Sequence, residues 1–151
     1  MLNKNLIKYQ TNFSTQDEVF QEIASLAVSQ GIATDGQAVI DGLIARENQS
    51  TTGFTDGFAI PHTKAEAIQE AGIVILVNEN GIEWDSMDGK PARFFISLLI
   101  PENEAGTTHL SLLASISRML VHDEVRTSLL EAKSVEEIYT IINRHLESES
   151  N

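Results

Sequence analysis

Cysteine is absent from the 151-residue sequence. That excludes a disulfide framework, a thiolate zinc site and a thiol nucleophile, and it fits a reducing compartment. Basic residues are scarce: 10 Lys and Arg face 22 Asp and Glu, a formal net charge of −12. Nucleic acid and anionic membrane surfaces both demand a positive field, so neither is a general partner. Long apolar runs are missing too. The longest, Ile73–Val77 and Phe94–Ile100 (the latter interrupted by Ser97), fall far short of the ~20 residues of a membrane span. Met1–Gln10 carries Lys4 and Lys8 but no apolar block, so it does not read as a signal peptide. A soluble, cytoplasmic chain is expected.

What is present is ordinary globular composition, 42% apolar and 21% charged, without repeat or Pro/Gly-rich linker. One domain over 1–147 is expected, followed by a polar tail at 148–151. Thr15 with Glu18 forms a capping-box pattern ahead of Val19, Phe20, Ile23, Ala24 and Ala27, which recur at helical spacing up to Gly31. A second helix starts near Thr34 or Asp35, carries Val39, Ile40, Leu43 and Ile44, and ends around Arg46–Asn48. A Ser/Thr/Gly loop over 49–57 leads to a short strand, Phe58–Ile60, stopped by Pro61. Gly72–Val77 and Ala92–Ile100 are continuously apolar and suit strands covered on both faces. Asn80-Gly81 and Asp88-Gly89 are turn pairs around a short segment, Ile82–Trp84. Helices over about 108–121, 123–132 and 134–146 close the chain, the last opened by Ser134 with Glu137. Helices flanking a strand block make an α/β fold, a central mixed parallel/antiparallel sheet with helices on both faces.

Four histidines are the residues best suited to chemistry. His62 ends the run Gly57-Phe58-Ala59-Ile60-Pro61-His62. Proline fixes its own φ and cannot donate to a ladder, so the imidazole sits on a stiff mount at a strand's end. His109 follows Gly106-Thr107-Thr108, where a threonine is placed to cap the next helix. A helix N-terminus disfavours imidazolium and favours an incoming anion. His122 and His145 lie near helix ends, where a structural role is the simpler reading. No HxH or HxxxH pair occurs, so no metal site is expected. Arg46, near the end of the second helix and just before the loop to His62, is notable as one of only ten basic residues, with a solvated helix-end cation as the simpler reading. No Gly-rich loop with Lys-Ser/Thr and no GxSxG elbow is present.

Arg46-Glu47, the Ser/Thr loop, Thr52-Gly53-Phe54-Thr55-Asp56-Gly57-Phe58-Ala59-Ile60-Pro61-His62 and the later Gly106-Thr107-Thr108-His109-Leu110 together resemble the fructose/mannitol-type IIA domains of the bacterial phosphoenolpyruvate-dependent sugar phosphotransferase system. The resemblance covers nearly the whole chain, and Leu129–Ile138 is similar to the family's C-terminal end. Thr63 departs from the family's usual small residue after the histidine; it is placed to cap a short helix with Glu66 three residues on. The resemblance implies that His62 accepts a phosphoryl group from the phosphocarrier protein HPr on Nε2. A IIB domain then takes it for sugar uptake, of the fructose type, and contact with the membrane is only indirect, through the IIC permease. Arg46 would neutralise phosphoryl oxygens and His109 would donate a hydrogen bond to the group. No metal or organic cofactor is implied. Asp56 or a backbone carbonyl could orient Nδ1–H of His62, and Phe54 and Phe58 are anchors for HPr if they are not core. Two other readings stand beside this one: a regulatory, nitrogen-type IIA module, and a hydrolase using His62 and His109.

Overall fold

The computed structural model describes residues 1–104 and 106–150, without the side chains of Thr108, Glu149 and Ser150. Five strands form one mixed sheet: β1 (Leu2–Thr11), β2 (Phe58–Ala59), β3 (His62–Ala65), β4 (Gly72–Ile82) and β5 (Ala92–Pro101). Their order is β1-β4-β5-β2, with β3 also pairing β5. The β4–β5 pair is antiparallel, and β1 with β4, β2 with β5 and β3 with β5 are parallel. The helices are α1 (Gln16–Ser29), α2 (Gly36–Gln49), α3 (Thr108–Leu120), α4 (Asp123–Glu131) and α5 (Val135–Ser150).

Period-two alternation divides the core in two. On one face Val74, Leu76, Phe95 and Leu99 pack with Val19, Phe20 and Ile23 of α1 and Val39 and Leu43 of α2. On the other, Ile73, Ile75, Val77, Phe94, Ile96 and Leu98 pack with Ile116 and Leu120 of α3, Val125 of α4 and Ile138 and Ile142 of α5. Both central strands are covered on both sides, which is why their sequences are almost unbroken apolar runs.

The fold is the one the sequence predicts, with four local corrections. β1 was not expected. Only Leu6 and Ile7 of its ten residues are fully buried, and the strand is otherwise rich in Asn and Lys, a composition suited to an exposed sheet edge. Asn80-Gly81 is no turn: β4 runs through it to Ile82. The buried Asn78 amide stitches that stretch to the end of β1, accepting from Thr11 Oγ1 (2.9 Å) and the Phe13 N–H (2.7 Å) and donating to the Phe13 and Asn80 carbonyls (2.8 Å each). Thr63 caps no helix; it lies within β3, which resumes the strand direction after Pro61. α5 takes in Ser148, Glu149 and Ser150, part of the stretch expected as a tail, while Asn151 lies outside the described residues. Phe58 is fully buried against Phe94, with ring centroids 4.8 Å apart, so it is core and not an anchor for a partner; Phe54 is half-buried against the same cluster.

Candidate functional site

The edge next to β5 is made of two short strands broken at Ile60-Pro61. Pro61 has no N–H to offer, but its carbonyl still accepts from the Leu98 N–H at 3.0 Å. Immediately after it, His62 pairs with Leu98, which faces α3. His62 is 5% exposed. His109, in the first turn of α3, brings its ring to 5.1 Å from that of His62 at 52°. Thr107 occupies the N-cap position of α3 but makes no side-chain capping bond, contrary to the expected role of a threonine there.

Arg46 arrives from the opposite face. α2 can lie unusually close to β3 because residue 42 is glycine: a Cβ there would stand 2.3 Å from Thr63 Oγ1. Arg46 is one turn beyond Gly42 on the same helical face. Its Nε–H donates to His62 Nε2 at 3.1 Å, and its Nη1 donates to the Ser50 carbonyl at 2.8 Å.

These contacts fix the tautomer. Guanidinium has no acceptor, so Nε2 of His62 receives the bond through its lone pair. The ring proton is therefore on Nδ1, which donates to the Ile60 carbonyl at 2.7 Å. The backbone fills the orienting role; Asp56 does not. Asp56 instead accepts from Arg126 Nε at 3.1 Å and Lys90 Nζ at 3.3 Å, which hold its carboxyl below the usual range.

Glu47, quoted in the motif but given no task there, secures the Nδ1 side. Its carboxylate accepts from the Thr52 N–H and the Thr52 hydroxyl, both at 2.6 Å. The Thr52 carbonyl in turn accepts from the Ile60 N–H at 3.0 Å. Trp84 Nε1–H adds a bond to Thr52 Oγ1 at 3.1 Å, and Gly53 lies so near Ser86 that a Cβ would meet its Oγ at 2.5 Å. Two adjacent residues of α2 thus act on opposite sides of one imidazole. Arg46 touches Nε2, and Glu47 braces Nδ1 through Thr52 and Ile60.

Both histidines are held neutral. Burial lowers the pKa of His62 most, and the charge of Arg46 and the neighbouring His109 lower it further against the opposing Ile60 bond. For His109 burial again leads, followed by the charges of Lys64 and Arg46. Its Nε2 is buried and has no hydrogen-bond partner among the described residues. The site therefore presents a neutral nucleophilic nitrogen, a guanidinium with Nη2 uncommitted among the described residues, and an unspent imidazole nitrogen. That combination can accept a phosphoryl group and neutralise its oxygens.

His122 and His145 are not part of it. His122 is the N-cap of α4, 3.8 Å from Glu124, and with His145 and Arg144 it lines a cleft of about 350 Å³ that neither His62 nor His109 enters. Among the described residues no group of three or more His, Asp or Glu is placed to hold a metal, and no helix is long and apolar enough to cross a membrane.

Comparison with known proteins places the whole chain in one family. Residues 1–145 match the family model described as phosphoenolpyruvate-dependent sugar phosphotransferase system, EIIA 2. The chain is 34% identical over 137 residues to the PTS system fructose-specific EIIA component of Haloferax volcanii, covering 91% of this chain and 88% of that one. It is also 34% identical over 145 residues to the fructose-specific EIIABC component of Bacillus subtilis, 96% of this chain but only 23% of that longer protein. Among solved structures, nitrogen regulatory protein IIA-Ntr from Neisseria meningitidis superposes with a TM-score of 0.86 at 28% identity, covering 93% of this chain and 95% of that one. Mannitol IIA from Escherichia coli shares the fold, with a TM-score of 0.77 at 22% identity over 94% and 99% of the two chains. The chain belongs to the EIIA 2 family of the phosphoenolpyruvate-dependent sugar phosphotransferase system.

Proposed function

We propose that His62 is the phosphoryl-carrying residue of this IIA component, taking the group from phosphorylated HPr and passing it to a IIB domain for uptake of a fructose-type sugar. The observation that carries this reading is the Arg46 Nε–His62 Nε2 bond at 3.1 Å together with the Nδ1 bond to Ile60. Nε2 lies on the side of the ring that faces the cation and keeps its lone pair. During transfer the N–P bond of the donor phosphohistidine breaks and a bond from phosphorus to His62 Nε2 forms. The donor imidazole keeps the electron pair of the broken bond. Such a reaction demands in-line positioning and charge stabilisation rather than covalent work by the protein. Arg46 shifts from Nε2 to the phosphoryl oxygens, and His109 donates its free N–H to them. The step to a IIB partner is supported by the solved complex of mannitol enzyme IIA with phosphorylated enzyme IIB from Escherichia coli, whose IIA shares this fold. Action in the cytoplasm follows from those partners.

Incubation with phosphoenolpyruvate, enzyme I and HPr tests the reading. One acid-labile phosphate per chain is expected, lost in His62→Ala; stable labelling of His62→Ala would overturn it. His109→Ala should accept phosphate but hand it on roughly 10²-fold more slowly, the scale of one lost transition-state donor.

A second reading, a nitrogen-type regulatory module phosphorylated on the same histidine, is favoured by the 0.86 TM-score to IIA-Ntr and by 34% identity over 128 residues to the nitrogen regulatory protein of Pseudomonas aeruginosa. Transfer from the labelled protein to a fructose-type IIB separates the two: rapid transfer supports uptake, and a label that no such IIB removes supports regulation.

A further inference from the structure

The proposed reaction leaves one nearby cation without a task. β3 alternates its faces, so Thr63, opposite Leu99, turns toward α2, while His62 and Lys64, opposite Leu98 and Ile100, share the other side. The first turn of α3 covers that side and brings His109 to His62. Lys64 is exposed, and its ammonium forms no ion pair or hydrogen bond among the described residues, in a chain that carries −12 overall. Lys8, Lys90 and Arg126 are all paired with carboxylates. Lys64 thus stands apart from other cations of the molecule: it is on the same strand face as the nucleophile and committed to nothing.

We propose that Lys64 is a third phosphoryl ligand, closing with Arg46 and His109 a ring of donors around the group on His62 Nε2. The inference rests on the phosphoryl-carrier reading of His62. Charge balance supports it. A phosphoryl group on nitrogen brings close to two negative charges into a site where His62 and His109 are neutral. Arg46 supplies one positive charge and Lys64 the second. The field of Lys64 already reaches His109, where it ranks ahead of Arg46 among the charges that keep that ring neutral. A lysine on an exposed edge strand has the reach and freedom of a four-carbon stem. It can meet the phosphoryl group while the group is still on the donor, whereas Arg46 approaches from the α2 side.

Lys64→Gln and Lys64→Arg in the full chain test this. In Lys64→Gln, kcat/KM for transfer from phosphorylated HPr should fall about tenfold, less than for a buried donor because Lys64 itself is exposed to solvent. Lys64→Arg should restore most of it. Independently of any transfer, NMR titration of Lys64→Gln should show the His109 pKa moved upward and the fold unchanged. A labelled wild type with Lys64→Gln transferring at the wild-type rate overturns the proposal alone. A wild type that takes no label on His62 overturns the carrier reading and this proposal with it.

Discussion

Two arginines touch the loop over 49–57, Arg46 through Ser50 and Arg126 through Asp56, and they teach by contrast. Arg126, on α4, has four of its five N–H groups engaged: Nη1 donates to the Leu120 carbonyl at 2.6 Å and the Val121 carbonyl at 3.2 Å, Nε to Asp56 at 3.1 Å, and Nη2 to Asp123. Two carboxylates already meet its charge, and with the C-terminal carbonyls of α3 they hold it in place. Arg46, by contrast, spends Nε on a neutral imidazole and Nη1 on Ser50. Exchanging a neutral acceptor for a phosphoryl dianion is favourable, because the guanidinium then meets an opposite charge and can bind it through two parallel N–H groups. Exchanging the partners of Arg126 is not. Cation count alone could not separate these arginines; the charge of the acceptor does.

The sharpest way to break the contrast is to remove each arginine. Arg46→Ala should lower phosphoryl acceptance by His62 on the order of 10²-fold, with stability changed by less than about 1 kcal/mol. Arg126→Ala should do the reverse. Loss of its bonds to α3 and to the loop should cost about 2 kcal/mol in urea unfolding, and the rate per folded molecule should stay near wild type. If both variants lost rate and stability together, the division of labour would be wrong.

Much of this was legible in the sequence, for identifiable reasons. The central strands announced themselves because burial on both faces demands unbroken apolar residues, as in Ile73–Val77. The helices showed their caps: Thr15 with Glu18 forms the expected box. His62, His109 and Arg46 stood out by residue type and position and drew their roles from the family resemblance, and the structure brings all three together. What stayed hidden depends on neighbours distant in sequence. β1 carries too much Asn and Lys to look like a strand until its edge position is known. The partners of Asp56 lie at 90 and 126, so the sequence could not choose between Asp56 and a backbone carbonyl as the orienting group. Gly42 did carry a signal, since a glycine inside a helix costs about 1 kcal/mol relative to alanine and calls for a packing reason. That reason, the Thr63 hydroxyl, could be named only with the fold in hand.

Gly42→Ala sharpens the account of how Arg46 is placed. The new methyl would push α2 off β3, weaken the Arg46–His62 bond and let the His62 pKa rise, as read by NMR, at a cost of about 1–2 kcal/mol in stability. Gly42→Ala with Thr63→Ala should recover the wild-type titration. A single variant that titrates like wild type would show that Arg46 does not depend on the close approach.

A subtler separation comes from pH. Both site histidines have pKa values lowered in the folded protein, chiefly by burial. As pH falls below about 6.5 the unfolded chain takes up protons that the folded site refuses, so stability should decrease from pH 7 toward pH 5. His62→Gln should flatten that slope, and Arg126→Ala should leave it in place. The smallest effect belongs to Asp56→Asn. It loosens the two ion pairs of a half-exposed carboxylate, with Lys90 and Arg126, so a slight loss of thermal stability and unchanged labelling are expected; a slowed His62 would restore the orienting role that the backbone now fills.

The central claim is that Arg46 and Ile60 together leave the Nε2 lone pair of His62 as the nucleophile. Phosphorylation of the ¹⁵N-histidine-labelled protein by phosphorylated HPr, read by two-dimensional NMR, tests it most directly. The phosphorus should be bonded to Nε2 of His62 with the proton retained on Nδ1; a phosphoryl group on Nδ1, or on His109, would contradict the account.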